Sequence, residues 1–254
     1  MRKVQVAIGF IILVLGPLGR SNAFGAQIID SQGSWKLNWS TGRFEYIGAA
    51  AELQRDKSYK EVEGSIWKSA RDDIAITLPS IRELYEGPGE TGAKWSKIAV
   101  ARVQKNLVSK KTVYLPDGAV AVKLLAEAGD FFYAEGQSET DSPLAPATGC
   151  SGVVFRLATA EKPMPYYKIV DKTGNILLSL DNISKAAYAK NLMGRWFRSP
   201  SASEVQEVAG GKSMEFQAVV AARGVLRIDS PEEAKNLAAC RDALAQSRIV
   251  LAIP

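Results

Sequence analysis

The sequence predicts an α+β fold, with antiparallel sheets, helices packed on one face, and two subdomains. Three observations lead there. Apolar and polar residues alternate on both sides of turn residues at three places, the pattern of β-hairpins. Longer stretches between them step their apolar residues by three and four, as helices do. Residues 136–149 hold Gln, Ser, Thr, Pro and acids but little that is apolar, and read as a linker between residues 34–135 and 150–254.

The chain opens with a different kind of element. Arg2 and Lys3 form a basic start, and a mostly apolar run follows from Val4 to Leu15. Gly16, Pro17 and Gly19 break it, and the small residues Ser21, Ala23 and Gly25 offer cleavage after 23 or 25. Residues 1–25 therefore read as a secretory signal peptide. The alternative is a membrane anchor, but the run is about 12 residues, short of the roughly 20 that span a bilayer. The first cysteine is Cys150, so lipid attachment at a new N-terminus is not expected. No later stretch is long and apolar enough to span a membrane. The expected destination is the periplasm or cell envelope.

The mature chain then begins its folded elements. Trp35, Leu37 and Trp39 alternate with polar residues, Ser40-Thr41-Gly42 turns the chain, and Phe44 and Tyr46 alternate again. This is the first hairpin. A helix is expected from Ala50 to Leu78, through Tyr59, Val62, Ile66, Ala70 and Ile74, with Pro79 to stop or kink it. Lys94 to Asn106 reads as a second helix. Leu107 to Leu115 and Ala119 to Ala126 form a hairpin around Pro116-Asp117-Gly118.

The second half starts with an apolar strand, Gly152 to Leu157. A third hairpin joins Tyr166–Val170 to Asn175–Leu180 through Asp171 to Gly174. Ser184 to Phe197 has a helical pattern, and Met214 to Ala222 that of a strand. Ser230-Pro231-Glu232-Glu233 is a helix start, with Ser at the N-cap, Pro first and Glu third. That helix runs to about Ala245, and Arg248 to Ile253 closes the chain as an apolar strand.

Composition removes several functions. The 254 residues contain no histidine, which excludes Ser-His-Asp and Cys-His nucleophiles and histidine-based zinc sites. The formal charge is +5, but residues 1–23 hold Arg2, Lys3 and Arg20 and no acid, so 29 basic residues face 27 acidic ones after cleavage, a net +2. That is no nucleic-acid footprint.

Candidate sites are few. Cys150 and Cys240 are the only cysteines. A disulfide between them and two buried free thiols are both open. Gly210-Gly211-Lys212-Ser213 lacks the earlier glycine of a phosphate loop and reads as a turn. Asp72 and Asp73 are adjacent on a helix and point to different faces, so a solvated polar face is expected. Glu135, Glu139 and Asp141 lack calcium-loop spacing. The sequons at Asn38 and Asn182 fall in or beside regular structure and read as chance. Trp35, Trp39, Phe44 and Tyr46 read as core, with a glycan- or protein-binding face as the alternative. Phe131, Phe132 and Tyr133 cannot all be buried by a two-sided strand, and form the candidate exposed contact patch.

Residues 34–128 resemble the LPP20-like family of bacterial cell-envelope proteins. The resemblance is carried by Asn38 to Gly42, the long helix, and the hairpin at Asp117-Gly118 with Val120 and Val122. Residues from Thr148-Gly149 onward are similar to the C-terminal extension of larger exported members. The resemblance implies an envelope protein without enzyme activity or cofactor. Its partner would be another envelope protein, in an outer-membrane or flagellum-associated assembly, with peripheral outer-membrane association. Two departures stand out: the lipoprotein cysteine is absent, and Glu52, Asp56, Glu61 and Glu63 make the helix more acidic than the family pattern. The leading expectation is thus a non-enzymatic envelope protein acting through protein–protein contacts. The alternative is a periplasmic binding module for a small ligand or cell-wall glycan.

Overall fold

A computed structural model describes residues 26–32, 34–50, 59–86, 100–101, 103–114, 119–132 and 149–254. The expected signal peptide at 1–25, the linker at 136–148 and the turn at 116–118 lie outside the described residues. So do Tyr133, Glu135, Glu139, Asp141 and the first part, 94–99, of the expected second helix. The fold is α+β, built on one antiparallel and one mixed sheet.

The antiparallel sheet comes from β2 (Ile29–Gln32), β3 (Trp35–Asn38), β4 (Arg43–Ala50), β5 (Val108–Tyr114) and β6 (Val120–Glu127), in the order β2-β3-β4-β6-β5. Alternation sends Trp35, Leu37, Phe44, Tyr46, Val122 and Leu124 to one buried face. Helix α1 (Tyr59–Glu86) covers that face with Val62, Ile66, Ala70 and Ile74. Each of its larger aliphatics contributes about 1.5–3 kcal/mol by leaving water. A Cβ on Gly48 would lie 2.5 Å from Ile66 Cγ2, so glycine is what lets the helix sit this close.

Two boundaries differ from expectation. Strand β4 continues to Ala50, where alanines pair with Ala121 and Val120 of β6. Alanine on its own favours helix, and the sheet pairing overrides that preference here. The helix then starts at Tyr59, where the apolar stepping begins, and passes through Pro79 to Glu86. A proline removes one helical hydrogen bond, at a cost of about 3 kcal/mol, which a helix this long can absorb.

The mixed sheet has the order β1-β10-β13-β7-β11-β12-β8-β9. Its strands are β1 (Ala26–Gln27), β7 (Gly152–Leu157), β8 (Lys168–Asp171), β9 (Ile176–Leu178), β10 (Arg195–Arg198), β11 (Ser213–Ala222), β12 (Val225–Ile228) and β13 (Ile249–Ile253). The expectation of antiparallel pairing holds at β1–β10, β11–β12 and β8–β9. The centre, β10-β13-β7-β11, is parallel. The cause is three helical returns between strands: α3 (Lys185–Asn191), α4 (Ala202–Ala209), and the pair α5 (Pro231–Leu237) and α6 (Arg241–Ala245). Every residue of β13 is buried, as befits a strand covered on both faces.

The expected helix over 184–197 is shorter. It ends at Asn191, because Leu192 takes φ 56° and Gly194 φ 158°. Trp196 and Phe197 fall in β10 instead. Helix α4 lies where no helix is expected, although Ser201 and Glu204 form a capping box: Ser201 N donates to Glu204 Oε2 at 2.8 Å and Glu204 N to Ser201 Oγ at 3.3 Å. It packs on β7 so tightly that a Cβ on Gly152 would collide with the Ala209 carbonyl oxygen.

The two sheets share one buried cluster, which runs from Trp35 to Ile253. Residues 26–32 lace them, since β1 extends the mixed sheet and β2 the antiparallel one. Ser40 is the knot. Its Oγ accepts from Ile28 N at 3.1 Å and donates to the Trp196 carbonyl at 2.7 Å. Trp196 N donates to the Trp39 carbonyl at 3.2 Å.

Candidate functional site: a groove beside strand β9

The groove is built by two capped segments facing each other. On one side the β8–β9 hairpin turns through Gly174 at φ 90°. Asp171 Oδ1 accepts from Thr173 N (2.8 Å), Thr173 Oγ1 (2.7 Å) and Asn175 N (2.9 Å), and Oδ2 accepts from Asn175 Nδ2 (2.8 Å). These donors, the Thr173 side chain first, hold the Asp171 carboxyl far below the usual range. The carboxylate is consumed by its own turn and fixes the hairpin.

After β9, residues 180–182 make a 3-10 turn, and Ser179 N donates to Asn182 Oδ1 at 2.7 Å. On the other side Ser230 caps α5, accepting from Glu233 N at 3.3 Å. A 3-10 turn, Ala238–Cys240, links α5 to α6. Cys240 there is joined to Cys150 in a disulfide with Cα atoms 5.2 Å apart, which ties this wall to the chain just before β7.

Between the walls lies a cavity of about 680 Å³. Leu178, Leu237 and Leu244 are its buried floor, and Asp181, Arg241 and Asp242 stand on its rim. A second depression of about 460 Å³, with Asp171, Thr173, Asn175 and Lys235, continues past Leu177 and Ala234, which line both. Among the described residues no strand lies beyond β9 in the sheet. Ile176 at the start of β9 is 57% exposed. An apolar floor, a charged rim and an open strand edge suit binding. The rim pairs no nucleophile with a base. Among the described residues no three or more Cys, Asp or Glu gather as metal ligands.

The residues singled out by sequence fall elsewhere. Phe131 and Phe132 are fully buried, so the expected exposed patch does not exist at these two positions. They lie on a short helix, α2 (Ala128–Phe132), not on a strand, and a helical turn aims both rings inward. Phe132 stacks on Trp39 at 6.2 Å and meets Tyr166 of the second half at 6.3 Å. The pair is a seal between the halves. Gly129 beside it touches α3 so closely that a Cβ would collide with the Tyr188 carbonyl oxygen.

The hairpin aromatics are core. Trp35, Trp39, Phe44 and Tyr46 are all buried, with Trp35 and Tyr46 5.1 Å apart. Asn38 is buried too, and its Oδ1 accepts from Ser40 N at 3.1 Å and Thr41 N at 3.2 Å. Gly210 caps α4 and Ser213 opens β11, so that segment is a turn. Asp72 is exposed on α1 and Asp73 half-buried.

The groove residues carry no mark in the sequence. Leu177, Leu178, Leu237 and Leu244 look like any core leucine, and Asp181, Arg241 and Asp242 like any surface charge. The available signal is the hairpin's turn chemistry followed later by a capped helix, which marks two rigid walls but not that they face. No protein-family model matches the chain, and no curated protein matches it.

Proposed function

We propose that this chain is an exported, non-enzymatic cell-envelope protein that works by holding an extended segment of a partner protein in the groove beside β9. The observation that carries this reading is the groove itself: an apolar floor running along the open edge of the sheet. An extended segment added there gains main-chain hydrogen bonds from the strand edge and seats alternate side chains on the leucine floor. The basic-then-apolar start of the chain and a disulfide suited to an oxidising compartment support export. The resemblance of residues 34–128 to LPP20-like proteins supports an envelope assembly, at the outer membrane or the flagellum. Among the described residues no helix is long and apolar enough to cross a membrane.

The test is a photoreactive residue at Asp181 on the rim, compared with one at the exposed Ile47 on the far face of the antiparallel sheet. In intact cells the first should yield one discrete protein adduct and the second none. Equal labelling from both positions, or none from either, overturns the reading. A second reading, a small ligand or glycan in the same groove, is favoured by its volume, which falls within the roughly 300–1,000 Å³ of ligand sites. A bound small molecule in the purified protein, with no protein adduct, would select it.

A further inference from the structure

Where the turn between α5 and α6 meets the mixed sheet, three sulfur atoms come together. Cys240, on that turn, is bonded to Cys150 and is fully buried. Met214, the second residue of β11, brings its Sδ to 3.3 Å from Cys240 Sγ. The polarisable thioether therefore packs directly on the bond that anchors the turn.

The setting of Met214 is unlike that of the other methionines among the described residues. Met164 is 8% exposed and Met193 only 1%. The Met193 sulfur also accepts from Tyr167 N at 3.4 Å, so one of its lone pairs is occupied. Met214 is 37% exposed. An oxidant arriving from solvent meets this thioether first, because methionine oxidation follows access to the side chain.

We propose that Met214 is an oxidation site, and that its sulfoxide loosens the turn that carries Cys240. The step is a two-electron oxygen transfer from a peroxide. A lone pair of Sδ attacks one peroxide oxygen, the O–O bond breaks, and an S–O bond forms. The sulfur is oxidised, and hydrogen peroxide is reduced and leaves as water with both of its protons. The product is polar where the thioether was apolar. A sulfoxide oxygen needs water or a donor. The disulfide beside it supplies neither, since Cys150 and Cys240 are both buried and carry no S–H. The oxidised side chain therefore leaves the disulfide for solvent, and the turn at Ala238–Cys240 loses its packing against β11. Its covalent tie to Cys150 remains, so the turn loosens without detaching. The inference rests on this packing alone and holds whatever the groove binds.

The test treats the purified protein with hydrogen peroxide, maps the added oxygen by mass spectrometry of its digest, and follows hydrogen exchange across residues 231–245. Met214→Leu is the comparison, because leucine keeps the volume and the apolar contact and cannot take up the oxygen. Oxygen should appear at Met214 several-fold faster than at Met164 or Met193. Exchange across 231–245 should then rise in wild type and stay unchanged in the leucine variant. Met214→Gln, which puts a polar group at the same place, should show the raised exchange without any peroxide. Oxidation of Met164 or Met193 as fast as that of Met214 would overturn the site. Full oxidation at Met214 with unchanged exchange, or an equal rise in the leucine variant, would overturn the loosening. Wild type before and after peroxide carries this reading by itself if a variant fails to fold.

Discussion

The two halves of this molecule solve the same packing problem with different topology. The antiparallel sheet is mostly hairpins, and one long helix covers one of its faces. The mixed sheet is centred on parallel strands fed by helical returns, and its core lies on both faces, with Val154, Phe197, Val250 and Ala252 packed under α4. The first half shows its plan in local alternation. The second hides it, because a parallel pair such as β7 and β13 is assembled from residues nearly 100 positions apart. Yet the halves are not separate bodies. Phe132, Ser40 and residues 26–32 make a seam whose removal should affect both.

Breaking the seam should have the largest effect. Gly129→Ala places a methyl group against the backbone of α3, where no side chain can yield. It should destabilise by about 3 kcal/mol or more, read by urea unfolding as one transition that shifts or splits. If the halves were independent, the antiparallel sheet would keep its stability in this variant.

Opening the disulfide tests the second half. Cys150 and Cys240 are 90 residues apart and close a loop that holds most of the mixed sheet. The paired Cys150→Ala and Cys240→Ala variant should lose about 2–5 kcal/mol. Its hydrogen exchange should rise first in α5 and α6, the groove wall that the bond anchors.

Ser40→Ala removes a buried hydroxyl that serves both sheets and leaves the Ile28 amide without its acceptor. A loss of about 1–3 kcal/mol is expected. The smallest change runs the other way. Gly64 sits on the exposed face of α1, and nothing lies within 4 Å of the methyl group that an alanine would add there. Gly64→Ala should therefore gain about 0.5–1 kcal/mol in urea unfolding. Together with Gly129→Ala it separates the two uses of glycine by sign.

The sequence carried the elements better than their partners. The three hairpins, the capped helix at Ser230 and the closing strand are all readable, because turn chemistry and periodicity are local. The parallel core is not, because nothing in Gly152–Leu157 says which strand lies beside it. Phe131 and Phe132 are misplaced for a related reason. As strand residues they could not both be buried, but a single helical turn buries both. The groove is illegible because its floor is ordinary leucine and its other feature is a strand edge with no neighbour among the described residues, which only topology reveals.

The most direct test of the proposed role fills the groove. Ala238 is exposed and lines it, on the turn between α5 and α6. Ala238→Trp, combined with the photoreactive residue at Asp181, should abolish the protein adduct while leaving the melting temperature unchanged. An adduct that survives with the groove plugged would contradict the claim that this groove holds the partner.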